Sequence, residues 1–208
     1  ESLMCLSARR TGEGHGARKR VREGWVHQAG VTLIEVLVTM VVLAFGLLGL
    51  AGLQTRMSVS EGEAYQRSQA LLLMADIQNS MAANRPAAAS YVTTAANPVG
   101  AGMTCPDLPT PSTRAQRDLK AWCESLQGAA ETLAAGAQKA GTLIGGRGCV
   151  ESLGSNEYMI TVAWQGLAPI AAPPTSVACG KDLYDGGNAC AADRCRRTVT
   201  MVVRMGAL

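Results

Sequence analysis

The stretch Gly30-Val31-Thr32-Leu33-Ile34-Glu35-Val36-Leu37-Val38-Thr39-Met40 decides how the rest of the chain is read. A basic, polar leader ends at Gly30. An apolar run of 23 residues starts at Val31 and lasts to Leu53. That length spans a bilayer as a helix. Its one charge is Glu35. A carboxylate in such a segment costs on the order of 2–3 kcal/mol even on insertion scales, so it calls for a partner. A cut after Gly30 supplies one: the new α-ammonium of Val31, one helical turn away.

Charge follows the same division. Residues 1–30 carry six Lys/Arg and three Asp/Glu, whereas the rest of the chain carries thirteen of each. The excess of positive charge belongs to the leader. It reads as a positive-inside signal rather than a nucleic-acid footprint, even at Arg18-Lys19-Arg20. Glu1 is not an initiator, and Met4 is a candidate start. Two plainer readings compete for the apolar run. One is a single-pass anchor with a stray acid. The other is a secretory signal cut near Gly49-Leu50-Ala51, for which the run is too long.

The apolar run does not end in a linker. Gln54 to Asn84 has no proline, and Ala70, Leu73, Met74, Ile77 and Met81 fall at helical spacing on one stripe. The spacing predicts one helix from about Val31 to Asn84, ended by Arg85-Pro86 because a residue before proline avoids the α region. About 54 residues at 1.5 Å rise give roughly 80 Å. Gly46, Gly49 and Gly52 weaken it by roughly 1 kcal/mol each relative to Ala, and they also permit close helix packing. Residues 86–112 hold four prolines after Pro86 and read as an extended loop. Thr113-Arg114-Ala115-Gln116 is a capping box for a second helix, whose apolar face is Leu119, Trp122, Cys123, Leu126, Ala130 and Leu133. Gly136 to Gly148 reads as loose. Alternation predicts two strands, one around Tyr158-Ile160-Val162-Trp164 and one around Val199-Met201-Val203-Met205. A Pro-, Gly- and Cys-rich connection, Leu167 to Arg197, joins them. A structureless loop of that length is unusual.

Six cysteines follow the apolar helix: Cys105, Cys123, Cys149, Cys179, Cys190 and Cys195. Cys5 lies in the leader. An even number on the translocated side argues for disulfides. Six allow 15 pairings. Cys105–Cys123 is the best single guess, and Cys149 is the natural fourth partner for the three cysteines of the connection. A metal site is the competing reading. It is weakened by the lack of Cys-x-x-Cys and by both histidines, His15 and His27, lying in the leader.

No catalytic constellation emerges. The chain after Gly30 has no histidine, so Ser/His/Asp and Cys/His arrangements are excluded. Gly145-Gly146-Arg147-Gly148 lacks the Lys-Ser/Thr ending of a phosphate loop. Asp182, Asp185 and Asp193 could offer oxygen ligands to calcium, but not at an EF-hand spacing. The expectation is a non-enzyme with no cofactor, no metal, no small-molecule substrate and no nucleic-acid partner.

The Gly30-to-Glu35 run resembles the signal of type IV prepilins: a glycine, a cut, an aromatic or apolar residue, Thr-Leu, an apolar residue and Glu. The family usually has Phe where this chain has Val31. The run Asn156 to Gly166, with Cys179-Gly180 and the terminal strand Arg197 to Arg204, is similar to minor pilins of the PilV type. The resemblance implies an α+β type IV pilin fold: a long N-terminal α-helix, half transmembrane, packed on a small antiparallel β-sheet domain with disulfides. It implies a leader over 1–30, a long helix over 31–85 with its membrane part at 31–53, and a globular domain over 86–208 outside the membrane. It implies cleavage between Gly30 and Val31 by prepilin peptidase, N-methylation of Val31, and subunit docking through Glu35. The implied partners are other minor pilins, the major pilin, a tip adhesin and the inner-membrane assembly platform. The implied location is the inner membrane, N-terminus cytoplasmic, before assembly and the cell-surface pilus after it, with roles in priming, adhesion and twitching motility. A minor pseudopilin of type II secretion is the alternative in the same class. A membrane-anchored periplasmic sensor or binding domain is the alternative outside it.

Overall fold

The computed structural model of the chain describes residues 30–128 and 143–206. The chain divides into two units, Glu1–Leu47 and Leu48–Leu208. Helix α1, Leu33–Ala82, begins in the first and ends in the second. In the first unit, Leu33 to Leu47 is helical and every side chain from Gly30 on is exposed.

The second unit is built on the apolar stripe of α1. Ala70, Met74, Ile77 and Met81 are all buried, at the spacing of one helix face. They pack with α2, Arg114–Leu126, and with one face of a four-stranded sheet. The capping box of α2 is present: Gln116 N donates to Thr113 Oγ1 at 3.2 Å, and Thr113 N donates to Gln116 Oε1 at 2.9 Å. Trp122 fixes α2 on α1 by donating its indole N–H to Leu73 O at 2.9 Å.

The sheet is an antiparallel meander in the order β1 (Val99–Gly100), β2 (Arg147–Gly154), β3 (Glu157–Gln165) and β4 (Arg196–Arg204). Tyr158, Ile160, Val162 and Trp164 alternate onto the helix-facing side and are buried. The β2–β3 hairpin turns at Ser155 and Asn156, both with positive φ, as primed two-residue turns require.

Several elements differ from the sequence expectation. The helix stops at Ala82, and Arg85–Tyr91 is a kinked 3-10 segment with Pro86 in its first turn. Proline ends the α-helix but suits the start of the next turn. The stretch 86–112 is therefore not all loop. It also contributes β1, and Thr93 binds β2 through Thr93 N to Val150 O at 2.8 Å. Helix α2 ends at Leu126; Ala130, Leu133 and most of Gly136 to Gly148 lie outside the described residues. Gly146 to Gly148 is not loose: β2 begins at Arg147. Gly148 is small because a Cβ there would stand 2.3 Å from the Trp122 ring.

The six cysteines pair as Cys105–Cys123, Cys149–Cys179 and Cys190–Cys195. Cys149 sits opposite Thr161 on the sheet face turned away from the helices. Its bridge to Cys179 lays the long connection over that face, so Thr161 and Ala163 are buried as well. Trp122 and Trp164 are core residues.

Candidate assembly site at the leader–helix junction

At the junction the first helical turn opens from Thr32. Its carbonyl accepts the first helical N–H groups, from Glu35 at 3.0 Å and Val36 at 3.3 Å. Glu35 thus stands in the first turn of α1. A carboxylate there is favoured by the helix dipole, by typically 0.3–1 kcal/mol. Among the described residues no cation pairs with Glu35 and no group donates a hydrogen bond to it. Gly30 and Val31 are exposed, Val31 at 68%.

What surrounds this acid is apolar and uncovered. Leu33, Ile34, Met40, Val42, Leu43 and Phe45 are each more than 60% exposed. Fully burying one such side chain contributes about 1.5–3 kcal/mol, so the bare run stores a large drive toward lipid or other helices. The helix is long and apolar enough to cross a membrane. Thr39 does not break this character, since its hydroxyl is satisfied by Val36 O at 2.9 Å. Gly46, Gly49 and Gly52 have open space where a Cβ would stand.

Residues 25–51 match a family model described as the prokaryotic N-terminal methylation motif. That is the motif of prokaryotic pilins and pseudopilins, and it covers Gly30, Glu35 and most of the apolar run. No curated protein and no solved structure matches the chain. The motif, the long apolar helix, the four-stranded antiparallel sheet and the disulfides together agree with a type IV pilin-like protein.

The other candidate residues are drawn into structure. Asp193 Oδ1 accepts the N–H of Asp182 at 2.9 Å, and Asp185 Oδ1 accepts the N–H of Asp193 at 2.8 Å. Asp193 Oδ2 lies 2.9 Å from Arg196 Nη2, a pair with both side chains buried. Arg196 also donates to Val177 O at 2.7 Å and Cys179 O at 3.0 Å. Two of the three acids read as oxygen ligands in the sequence instead hold the connection's own backbone. Among the described residues no group of three or more His, Cys, Asp or Glu could hold a metal ion. Sequence reading missed Arg196 and Tyr184. The Tyr184 hydroxyl donates to Gly145 O at 2.8 Å, and its ring carries the Arg147 guanidinium 4.8 Å from the centroid. Neither residue lies in a periodic pattern that would flag it.

Proposed function

We propose that the chain is a minor pilin of a type IV pilus, of the PilV type. Prepilin peptidase cuts between Gly30 and Val31, and Val31 is N-methylated, which keeps its charge. Before assembly the subunit rests in the inner membrane, N-terminus cytoplasmic and the domain after residue 85 outside. It then joins other minor pilins and an adhesin to prime the filament, in support of adhesion and twitching motility.

The observation that supports this reading is the isolated Glu35 on a bare apolar helix, one turn from Val31. In a bundle of such helices, a neighbour's Val31 ammonium is the cation within reach of this carboxylate. Low local polarity strengthens that attraction and penalises an unpaired charge. The pair therefore sets the axial register of an incoming subunit. The same motif serves pseudopilins of type II secretion, which remain the second reading.

Glu35→Ala tests the docking role. Removal of a membrane-buried charge leaves insertion intact. Incorporation with other pilins should fall at least about tenfold, as expected for loss of a buried charge pair. Recovery of the variant in sheared filaments at the wild-type level would refute the role.

A further inference from the structure

The open edge of the sheet is a long strand, β4, charged only by arginines. In β4, the residues that bond to β3 alternate with residues that do not. Gly166 N donates to Cys195 O and Met205 N donates to Asn156 O, both at the ends of the β3–β4 ladder. This phase turns the N–H and C=O groups of Thr198, Thr200, Val202 and Arg204 away from β3. None of these outward groups has a backbone partner among the described residues. Natural edges are usually blunted by proline, bulges, charge or shortness. Here the strand has nine residues, no Pro or Gly and no register shift. Val202 is 59% exposed. The opposite edge, β1, has only two residues.

Space for one more strand lies beside this edge. Two concavities, of about 350 and 360 Å³, run between α1 and β4, one at Ala64, Arg67 and Thr198, the other at Gln78, Ala82 and Met201. The α1 positions follow one another by three, eleven and four residues, all on one helix face. Trp164 lines the first concavity, and its buried indole N–H has no partner. The rim is cationic. Among the described residues Arg67 makes no ion pair, Arg85 bonds to Ala82 O alone, and Arg204 is held loosely by Glu157 at 3.9 Å. The one acid lining either concavity, Glu63, is already taken by Arg197 at 3.1 Å.

The geometry points to β-strand addition: β4 receives an extended segment of another protein, apolar on alternate residues and carrying acidic side chains toward Arg67 and Arg85. Main-chain bonds to the four outward residues give affinity, and the side chains entering the two concavities give specificity. A second copy is a poor occupant. Its own β4 brings Arg196, Arg197 and Arg204 and no acid, setting like charge against the cationic rim. This surface lies wholly in the second unit, Leu48–Leu208, and uses none of the residues before it.

The test uses the full chain in detergent and a capped peptide of about nine residues, a typical strand length, alternating Val and Thr with two Glu. A matched peptide carries Lys for Glu. Amide exchange is read by residue. The Glu peptide should slow exchange at Thr198, Thr200, Val202 and Arg204 at least tenfold, and the Lys peptide should bind at least tenfold more weakly. Thr200→Pro removes one outward N–H without touching the β3 ladder and should abolish the protection. Arg67→Glu with Arg85→Glu, which leaves the strand intact, should reverse the preference between peptides. Unchanged exchange at all four amides, equal binding of the two peptides, or concentration-dependent protection without peptide (pairing of two copies) would each overturn the proposal.

Discussion

Glu35 and Arg196 show two opposite fates of a charge in this chain. Glu35 is exposed on an apolar helix and has no cation partner among the described residues. Arg196 is 2% exposed and is matched at once, by Asp193 and by two carbonyls. A buried pair broken on one side leaves the other charge uncompensated, at about 3–5 kcal/mol. Arg196→Ala should therefore lower stability by that order, read as a lower midpoint in urea unfolding. A change under about 1 kcal/mol would mean that water reaches Asp193 in the native fold. Tyr184 adds a pH dependence. Burial pushes its phenol above the ordinary 10.0, against a smaller opposing pull from Arg147. The folded state favours the neutral form. Its contribution is fully present below pH 10 and is lost as pH rises through the folded-state value. Tyr184→Phe should lose about 1 kcal/mol at neutral pH with the bond to Gly145, and its stability should fall less steeply above pH 10. Equal alkaline slopes for the two proteins would contradict this.

At the scale of elements, the cysteine connection is ordered by its bridges and by Arg196 and Tyr184 rather than by apolar burial. In the chain-entropy account a bridge stabilises more as its loop lengthens. Cys149–Cys179 spans 30 residues and Cys190–Cys195 spans 5. The first should contribute about 3.5 kcal/mol and the second about 2. Paired Cys→Ser variants measured by thermal unfolding should follow that order. The reverse order would show that the short bridge holds native contacts the long one does not. The periodic elements were legible beforehand. The Ala70-to-Met81 stripe gave α1, Thr113 and Gln116 gave the start of α2, and alternation gave β3 and β4. β2 was not legible, because its first residues are chosen for closeness. Gly148 yields space to Trp122, a demand set by α2 and invisible locally. The 3-10 segment was missed because Pro86 reads as a stop when taken alone, whereas at the first turn it is also a start. In the connection, the acids were legible as a cluster but not as bonds, since their partners are backbone groups and the Arg196 guanidinium, brought to them by the fold.

For the whole molecule, the chain combines a stable, doubly covered sheet with an N-terminal helix that buries none of its apolar run. The first part has a core in which its apolar side chains are buried. The second calls for lipid or a bundle of like helices. The proposed cut after Gly30 would make both possible in turn, because it removes the basic leader and creates the ammonium that answers Glu35. The candidate site was legible before the fold, since Gly30, Val31 and Glu35 are defined by spacing along one short segment. Its partner was not, because that cation belongs to another molecule. The central claim is tested most directly by mass spectrometry of the N-terminal peptide, from membranes of a cell with an active prepilin peptidase. The account predicts a chain that begins at Val31 and is heavier by one methyl group. A mature chain that retains the residues before Gly30, or that begins beyond Glu35, would contradict it.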